Sequence, residues 1–246
     1  MIERTIDIAT PDGVTTTFIC HPERDGPHPL ILFYMDAPGI REELRDMVRR
    51  LASGGYYVLL PNLYYRADVL ELGPYSGPNL SGARERMMGL MESLTIPLVM
   101  ADTDALLAFA ESDPAASPGP AGAVGYCMSG QFAINAAARR PDRIVAAASI
   151  YGVRLVTDAA DSPHRVAANT QAELYFACAE TDHWAPLPMI ETLKGALADR
   201  ATDTEVEIYP GVEHGFAFPQ RAAYDRDAAE RHWERLLSLF GRRLHS

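Results

Sequence analysis

Short apolar runs alternate with longer stretches of helical periodicity along most of this chain, and this alternation restricts the fold more than any other feature. After a hairpin over residues 5–9 and 14–20, strands are predicted at residues 29–34, 56–60, 123–125, 144–150, 172–177 and 205–209. Helices are predicted at residues 42–52, 83–94, 98–111, 187–198 and 227–240, with another starting at Ser129. Repeated strand and helix units predict an α/β fold, a mainly parallel sheet covered by helices on both faces.

The chain is long enough for one substantial core. It has 246 residues, 48% of them hydrophobic, and it shows no internal repeat. Its richest Pro, Gly and Ala segment, residues 112–122, is short enough to be a connection between elements. We therefore predict a single domain over residues 1–246.

Composition excludes several classes of function. A net charge of -11 repels the phosphate backbone, so nucleic acid is not an expected partner. No apolar run reaches the roughly 18 residues of a membrane-spanning helix, and the first residues lack the apolar stretch of a secretory signal. The three cysteines have neither disulfide nor zinc-ligand spacing, which predicts a cytoplasmic protein without a metal.

The segment Ala123-Val-Gly-Tyr-Cys-Met-Ser-Gly-Gln carries the strongest chemical signal. A short strand meets a helix there, and Cys127 occupies the turn as the nucleophile of a nucleophile elbow does. Gly125 and Ser129 supply the small flanking residues, and the Met128 N–H would face a developing oxyanion. Cys127 could instead be a small buried hydrophobe. Ser129 is a weaker nucleophile candidate, because Cys127 and Gln131 stand where glycines would be needed.

A nucleophile needs a base and an acid that orients the base. His214 follows the last predicted strand and could take the thiol proton. Asp182 follows the preceding strand and could fix the imidazole tautomer. His183 and Glu180 are the respective alternatives. The chain order nucleophile, acid, histidine is that of α/β-hydrolases.

These segments resemble the dienelactone hydrolase family, and the resemblance spans nearly the whole chain. It rests on Gly125-Tyr-Cys-Met-Ser-Gly, the loop at Asp182, His214-Gly-Phe and the largely structural segment at residues 54–66. The resemblance implies an α/β-hydrolase fold and a Cys127, Asp182 and His214 triad that cleaves an ester or lactone without a cofactor.

The resemblance also assigns roles to the segment Met35-Asp-Ala-Pro-Gly. The Ala37 N–H matches an oxyanion-hole amide, and Asp36 matches a glutamate that acts on the resting thiol. Aspartate is one methylene shorter, and a loop-capping role for Asp36 is an equal alternative.

The predicted substrate differs from dienelactone. Family members hold its carboxylate with arginines, one of them four residues after the histidine, where this chain has Phe218. An aromatic ring cannot make that bidentate contact, which predicts a neutral ester or lactone unless Arg41, Arg84 or Arg86 compensates. An apolar pocket is predicted from Tyr34, Tyr75, Trp184, Phe216 and Phe218. Thioester hydrolysis, a silent binding fold, and a monomer or dimer all remain open.

Overall fold

The computed structural model describes residues 1–73, 80–200 and 202–245. The strands are β1 Ile2–Thr10, β2 Gly13–His21, β3 Leu30–Tyr34, β4 Tyr57–Pro61, β5 Ala121–Tyr126, β6 Ile144–Ile150, β7 Glu173–Thr181 and β8 Thr204–Glu213. The α-helices are α1 Glu42–Ser53, α2 Leu80–Ser93, α3 Ile96–Ser112, α4 Gly130–Arg139, α5 Pro163–Ala167, α6 Leu187–Leu197 and α7 Arg226–Leu244.

The strands form one sheet in the order β1-β2-β4-β3-β5-β6-β7-β8. The pairs β1–β2 and β2–β4 are antiparallel, and the pairs from β4–β3 to β7–β8 are parallel. The predicted hairpin followed by a mainly parallel α/β sheet is therefore confirmed. Because parallel strands end at the same edge, their carboxyl ends gather the loops that can bind a ligand.

Helix α1 shows how the sequence pattern produces packing. Leu44, Met47, Val48 and Leu51, spaced for one helical face, are all buried, and the helix packs on β2 and β4. Burying each such side chain contributes roughly 1.5–3 kcal/mol. Helix α4 packs on β5 and β6, and α7 packs on β5, β6 and β7.

Strands β7 and β8 extend further than predicted, so that they end directly before Asp182 and His214. A Pro-Gly pair such as Pro210-Gly211 is typical of the turn after a strand, but β8 is an edge strand, which tolerates proline. Gly211 has φ +72° at an irregularity in the β7–β8 pairing, after which Thr181 pairs with Glu213. The predicted ends at residues 177 and 209 were therefore wrong.

Helices α2 and α3 confirm the periodicity over residues 83–111. A break separates them, and the Thr95 side chain accepts the Leu98 amide proton at the start of α3. In the described ranges, no single helix is long and apolar enough to cross a membrane; residues 82–93 and 96–112 meet that criterion only together, bent by 74°. Helix α5 was not predicted, because five residues carry too little periodicity.

Candidate active site

Five strand ends meet at one edge of the sheet and surround a small cavity. Met35 follows β3 and leads to Asp36 and Ala37, while the other four strands are each followed directly by a residue that lines the cavity or supports it. These residues are Cys127 after β5, Tyr151 after β6, Asp182 after β7 and His214 after β8. The topology thus brings the predicted nucleophile, acid and base to one place.

Cys127 sits on a strained turn. Its φ is +54°, a left-handed backbone conformation that residues other than glycine rarely adopt. A Cβ on Gly125 would lie 2.0 Å from the Ser129 carbonyl oxygen, so strand and turn approach too closely for a larger residue. The Val153 N–H donates to the Cys127 carbonyl at 3.0 Å. The local geometry is that of a nucleophile elbow.

The neighbouring candidates are less suited to nucleophilic attack. Ser129 is fully buried, and its hydroxyl donates to the Met35 carbonyl, which ties the elbow to the loop after β3. Cys20 and Cys178 are also buried. Burial raises the pKa of Cys20 to about 11 and that of Cys178 to about 12. Cys127, half-buried, lines the cavity.

His214 and Asp182 form the second half of the site. His214 Nδ1 lies 2.7 Å from Asp182 Oδ2. Asp182 Oδ1 accepts the amide protons of Trp184 at 2.8 Å and Ala185 at 3.1 Å. The alternatives face elsewhere: His183 is exposed, and Glu180 accepts the Gly211 amide proton.

The surroundings of His214 set its charge. Burial lowers its pKa, but hydrogen bonds to Asp182 and Cys127 and the negative charges of both groups outweigh burial and raise the pKa to about 10. An imidazolium beside a cysteine is the arrangement that activates cysteine nucleophiles in covalent catalysis.

The two residues assigned to the oxyanion hole are joined by a tyrosine. Ala37 lines the cavity, and Met128 is buried directly after Cys127. The Tyr64 hydroxyl donates to the Ala37 carbonyl at 2.9 Å and lies 3.2 Å from Met128 Sδ. Sequence reasoning missed Tyr64, because its segment was interpreted as structural.

Asp36 is buried and bound by arginines. Its oxygens accept from Arg41 at 2.5 and 3.1 Å and from Arg221 at 3.0 Å, and Arg41 also binds Glu43. Burial lowers the pKa of Arg41, and the charges and hydrogen bonds of Asp36 and Glu43 raise it more. Arg41 is therefore engaged in this network, while Arg221, which was not predicted, lines the cavity.

The rest of the cavity wall is apolar. It includes two of the predicted aromatic residues, Trp184 and Phe218, and the other apolar side chains come from α2 and from the loops after β3 and β6. These apolar lining residues are Ala37, Pro38, Met87, Met88, Met91, Val153, Trp184 and Phe218. Sequence reasoning missed the methionines, because a methionine face on a helix is indistinguishable from core.

Four other predicted substrate-binding residues need correction. Tyr34 is buried at the end of β3, where its hydroxyl bonds to Thr103 at 2.7 Å. Phe216 is buried and stacks on Tyr209 with ring centroids 4.8 Å apart. Arg84 and Arg86 are exposed on α2 and are not among the described residues that line the cavity. Tyr75 lies outside the described residues.

This arrangement contains the elements of covalent acyl transfer. A thiol lies beside an imidazole whose other nitrogen is bound by a buried carboxylate, which is the arrangement that covalent catalysis requires. In the ranges that the structure describes, no group of three or more His, Cys, Asp or Glu side chains is arranged to hold a metal ion.

Comparison with known proteins identifies the family to which the chain is similar. The model of the dienelactone hydrolase family matches residues 15–244. A "Putative carboxymethylenebutenolidase" of Methylorubrum extorquens is 30% identical over 98% of this chain and 81% of its own length, and one of Synechocystis sp. is 27% identical over 91% and 89%. The crystal structure of "Putative Dienelactone Hydrolase" from Klebsiella pneumoniae superposes with a TM-score of 0.85, 25% identity and 98% coverage of both chains.

Proposed function

Since the chain belongs to the dienelactone hydrolase family and is an ester or lactone hydrolase, we propose that Cys127, His214 and Asp182 form its catalytic triad. The observation that carries the proposal is the His214 to Asp182 hydrogen bond of 2.7 Å beside a cavity-lining cysteine with φ +54°. This combination positions a nucleophile, a proton donor and an orienting carboxylate. We place all three in one domain spanning residues 1–246.

Acylation begins from the Cys127 thiolate and the His214 imidazolium. The sulfur attacks the carbonyl carbon and forms a C–S bond, while the carbonyl oxygen becomes negative and accepts hydrogen bonds from the Met128 and Ala37 N–H groups. As the intermediate collapses, the C–O bond to the leaving group breaks. His214 donates its proton to that oxygen, which leaves as an alcohol.

Deacylation uses the now neutral His214 as a base. It takes a proton from water, and the resulting hydroxide attacks the thioester carbon of the acyl-enzyme. The C–S bond breaks, the acid is released, and the thiolate and imidazolium pair is restored. Asp182 fixes the imidazole orientation and stabilises its positive charge throughout.

The cavity favours a small neutral acyl compound. Its volume, as bounded by the described residues, is about 90 Å³, and its wall is mostly apolar. The Arg41 and Arg221 charges are balanced by Asp36 and Glu43, so this cluster leaves no net positive charge for a substrate carboxylate. Wild type should therefore prefer neutral substrates over dienelactone.

Hydrolysis of p-nitrophenyl acetate, a neutral lactone and a dienelactone by wild type and Cys127→Ala tests the proposal. Wild type should act with a preference for the neutral compounds, and Cys127→Ala should be inactive while the protein stays folded. Normal turnover by Cys127→Ala would refute the thiol mechanism. A preference for dienelactone would refute the substrate assignment and leave the triad standing.

A further inference from the structure

Tyr151 places a polar group at the cavity that the mechanism above does not use. Its side chain is fully buried yet lines the cavity beside Cys127 and His214. Its hydroxyl has no hydrogen-bond partner among the described residues. Buried hydroxyls are normally hydrogen-bonded, because an unpaired one has lost its contacts with water. Because Tyr151 lines the cavity, a molecule bound there can supply the missing hydrogen-bond partner.

The chain holds Tyr151 in this position at a cost. Its φ is +36°, which is unfavourable for an aromatic residue. Its N–H donates to the Ala177 carbonyl at 2.6 Å. Its ring packs against those of His214 and Phe216, with centroids 4.9 and 5.2 Å apart. The ring is therefore fixed, and substrate binding would not have to order it.

The surroundings of the hydroxyl indicate its protonation state. Burial raises the pKa of Tyr151 well above its ordinary value, and the charges of Asp36 and Cys127 act in the same direction. The positive charge of Arg221 opposes them. The hydroxyl therefore stays protonated, and it remains a hydrogen-bond donor at neutral and moderately alkaline pH.

We propose that the Tyr151 hydroxyl donates a hydrogen bond to the leaving-group oxygen of the bound ester or lactone. This role rests on the proposed function, which assigns the carbonyl oxygen to the Met128 and Ala37 N–H groups. The other oxygen of the ester group must lie close to His214, its proton donor, and the Tyr151 ring packs directly on His214. Tyr151 thereby makes the site selective for acyl compounds whose leaving atom is oxygen.

The test compares an ester with the thioester of the same acyl group, using wild type and Tyr151→Phe. Sulfur is a weak hydrogen-bond acceptor, so only the ester should depend on the hydroxyl. Tyr151→Phe should lower kcat/KM for the ester by about tenfold and leave that for the thioester within about twofold. Because the ring stays and only an unpaired hydroxyl is removed, the thermal midpoint should not fall.

Tyr57→Phe is the matched control. Tyr57 begins β4 at the opposite edge of the sheet, and its hydroxyl donates to Asp113 at 2.7 Å. It should change neither the ester nor the thioester rate. An equal loss on both substrates in Tyr151→Phe would show a structural role and overturn the inference, as would an unchanged ester rate. Either result, with Cys127→Ala inactive, leaves the proposed function intact.

Discussion

Asp182 Oδ2 lies 2.7 Å from His214 Nδ1, while Oδ1 of the same carboxylate accepts two backbone amide protons, those of Trp184 and Ala185. The backbone bonds fix the carboxylate, and the carboxylate fixes the imidazole. The orientation of the proposed base is therefore set by the loop after β7.

Asp182→Asn should lower kcat by about 10³-fold or more without unfolding the protein. The amide can keep its oxygen on the backbone amides, but its NH₂ group then faces His214 Nδ1 and stabilises the wrong tautomer. Steady-state kinetics with p-nitrophenyl acetate measures the loss. Glu180→Gln, which changes an exposed carboxylate two residues earlier near the end of β7, is the control and should retain kcat within about twofold. A comparable loss in both variants would contradict the assignment.

The charge of His214 predicts how stability depends on pH. Its pKa is raised from 6.5 to about 10 in the folded protein. A raised histidine pKa adds stability that is fully present below pH 6.5 and is lost as the pH rises through about 10. The difference in thermal midpoint between wild type and His214→Gln should therefore shrink between these pH values. A difference that grows with pH would contradict the imidazolium state.

Tyr64→Phe should reduce kcat more than it changes KM. The lost hydroxyl binds the Ala37 carbonyl and contacts Met128 Sδ, so its removal loosens both proposed oxyanion donors. A loss of about tenfold in kcat is expected, since a full oxyanion donor contributes about 10²–10³-fold. An unchanged kcat in a folded Tyr64→Phe variant would show that Tyr64 does not position these amides.

Gly125→Ala should destabilise the fold by roughly 1–3 kcal/mol or more, because its methyl group would lie 2.0 Å from the Ser129 carbonyl oxygen. Gly195→Ala is the matched control: Gly195 lies on α6 with no neighbouring atom within 4 Å of an added Cβ. There alanine should stabilise the helix by about 0.5–1 kcal/mol. Denaturant unfolding measures both, and equal midpoints would argue against the close approach at the elbow.

The parts of this structure that follow local rules could be predicted from the sequence. The period of the apolar residues fixed the strand and helix units, and the requirement for small residues around a sharp turn identified Cys127. The sequence also predicted that Asp182 and His214 lie close together, because both follow strands of a parallel sheet. This held even though both strands were predicted to end too early, β8 at its Pro210-Gly211 irregularity.

The cavity wall could not be predicted in the same way. Arg221 reaches the site only because tertiary contacts set the path of its loop. Tyr151 directly follows β6, but it carries no local signal that distinguishes it from a core aromatic residue. Tyr34 and Phe216 were predicted to line the pocket but are buried in the core, because the side chain of an aromatic residue near a strand end can pack inward. Whether such a residue faces ligand or core depends on its packing partners, Thr103 and Tyr209 here.

Capture of an acyl-enzyme tests the central claim most directly. Wild type mixed with p-nitrophenyl acetate and quenched in acid within one turnover should gain the mass of one acetyl group. Peptide mapping should place it on Cys127, while Cys20 and Cys178, both buried with raised pKa values, should stay unmodified. An acetyl group on any other residue, or wild-type turnover with no acyl-enzyme at any quench time, would contradict the thiol mechanism.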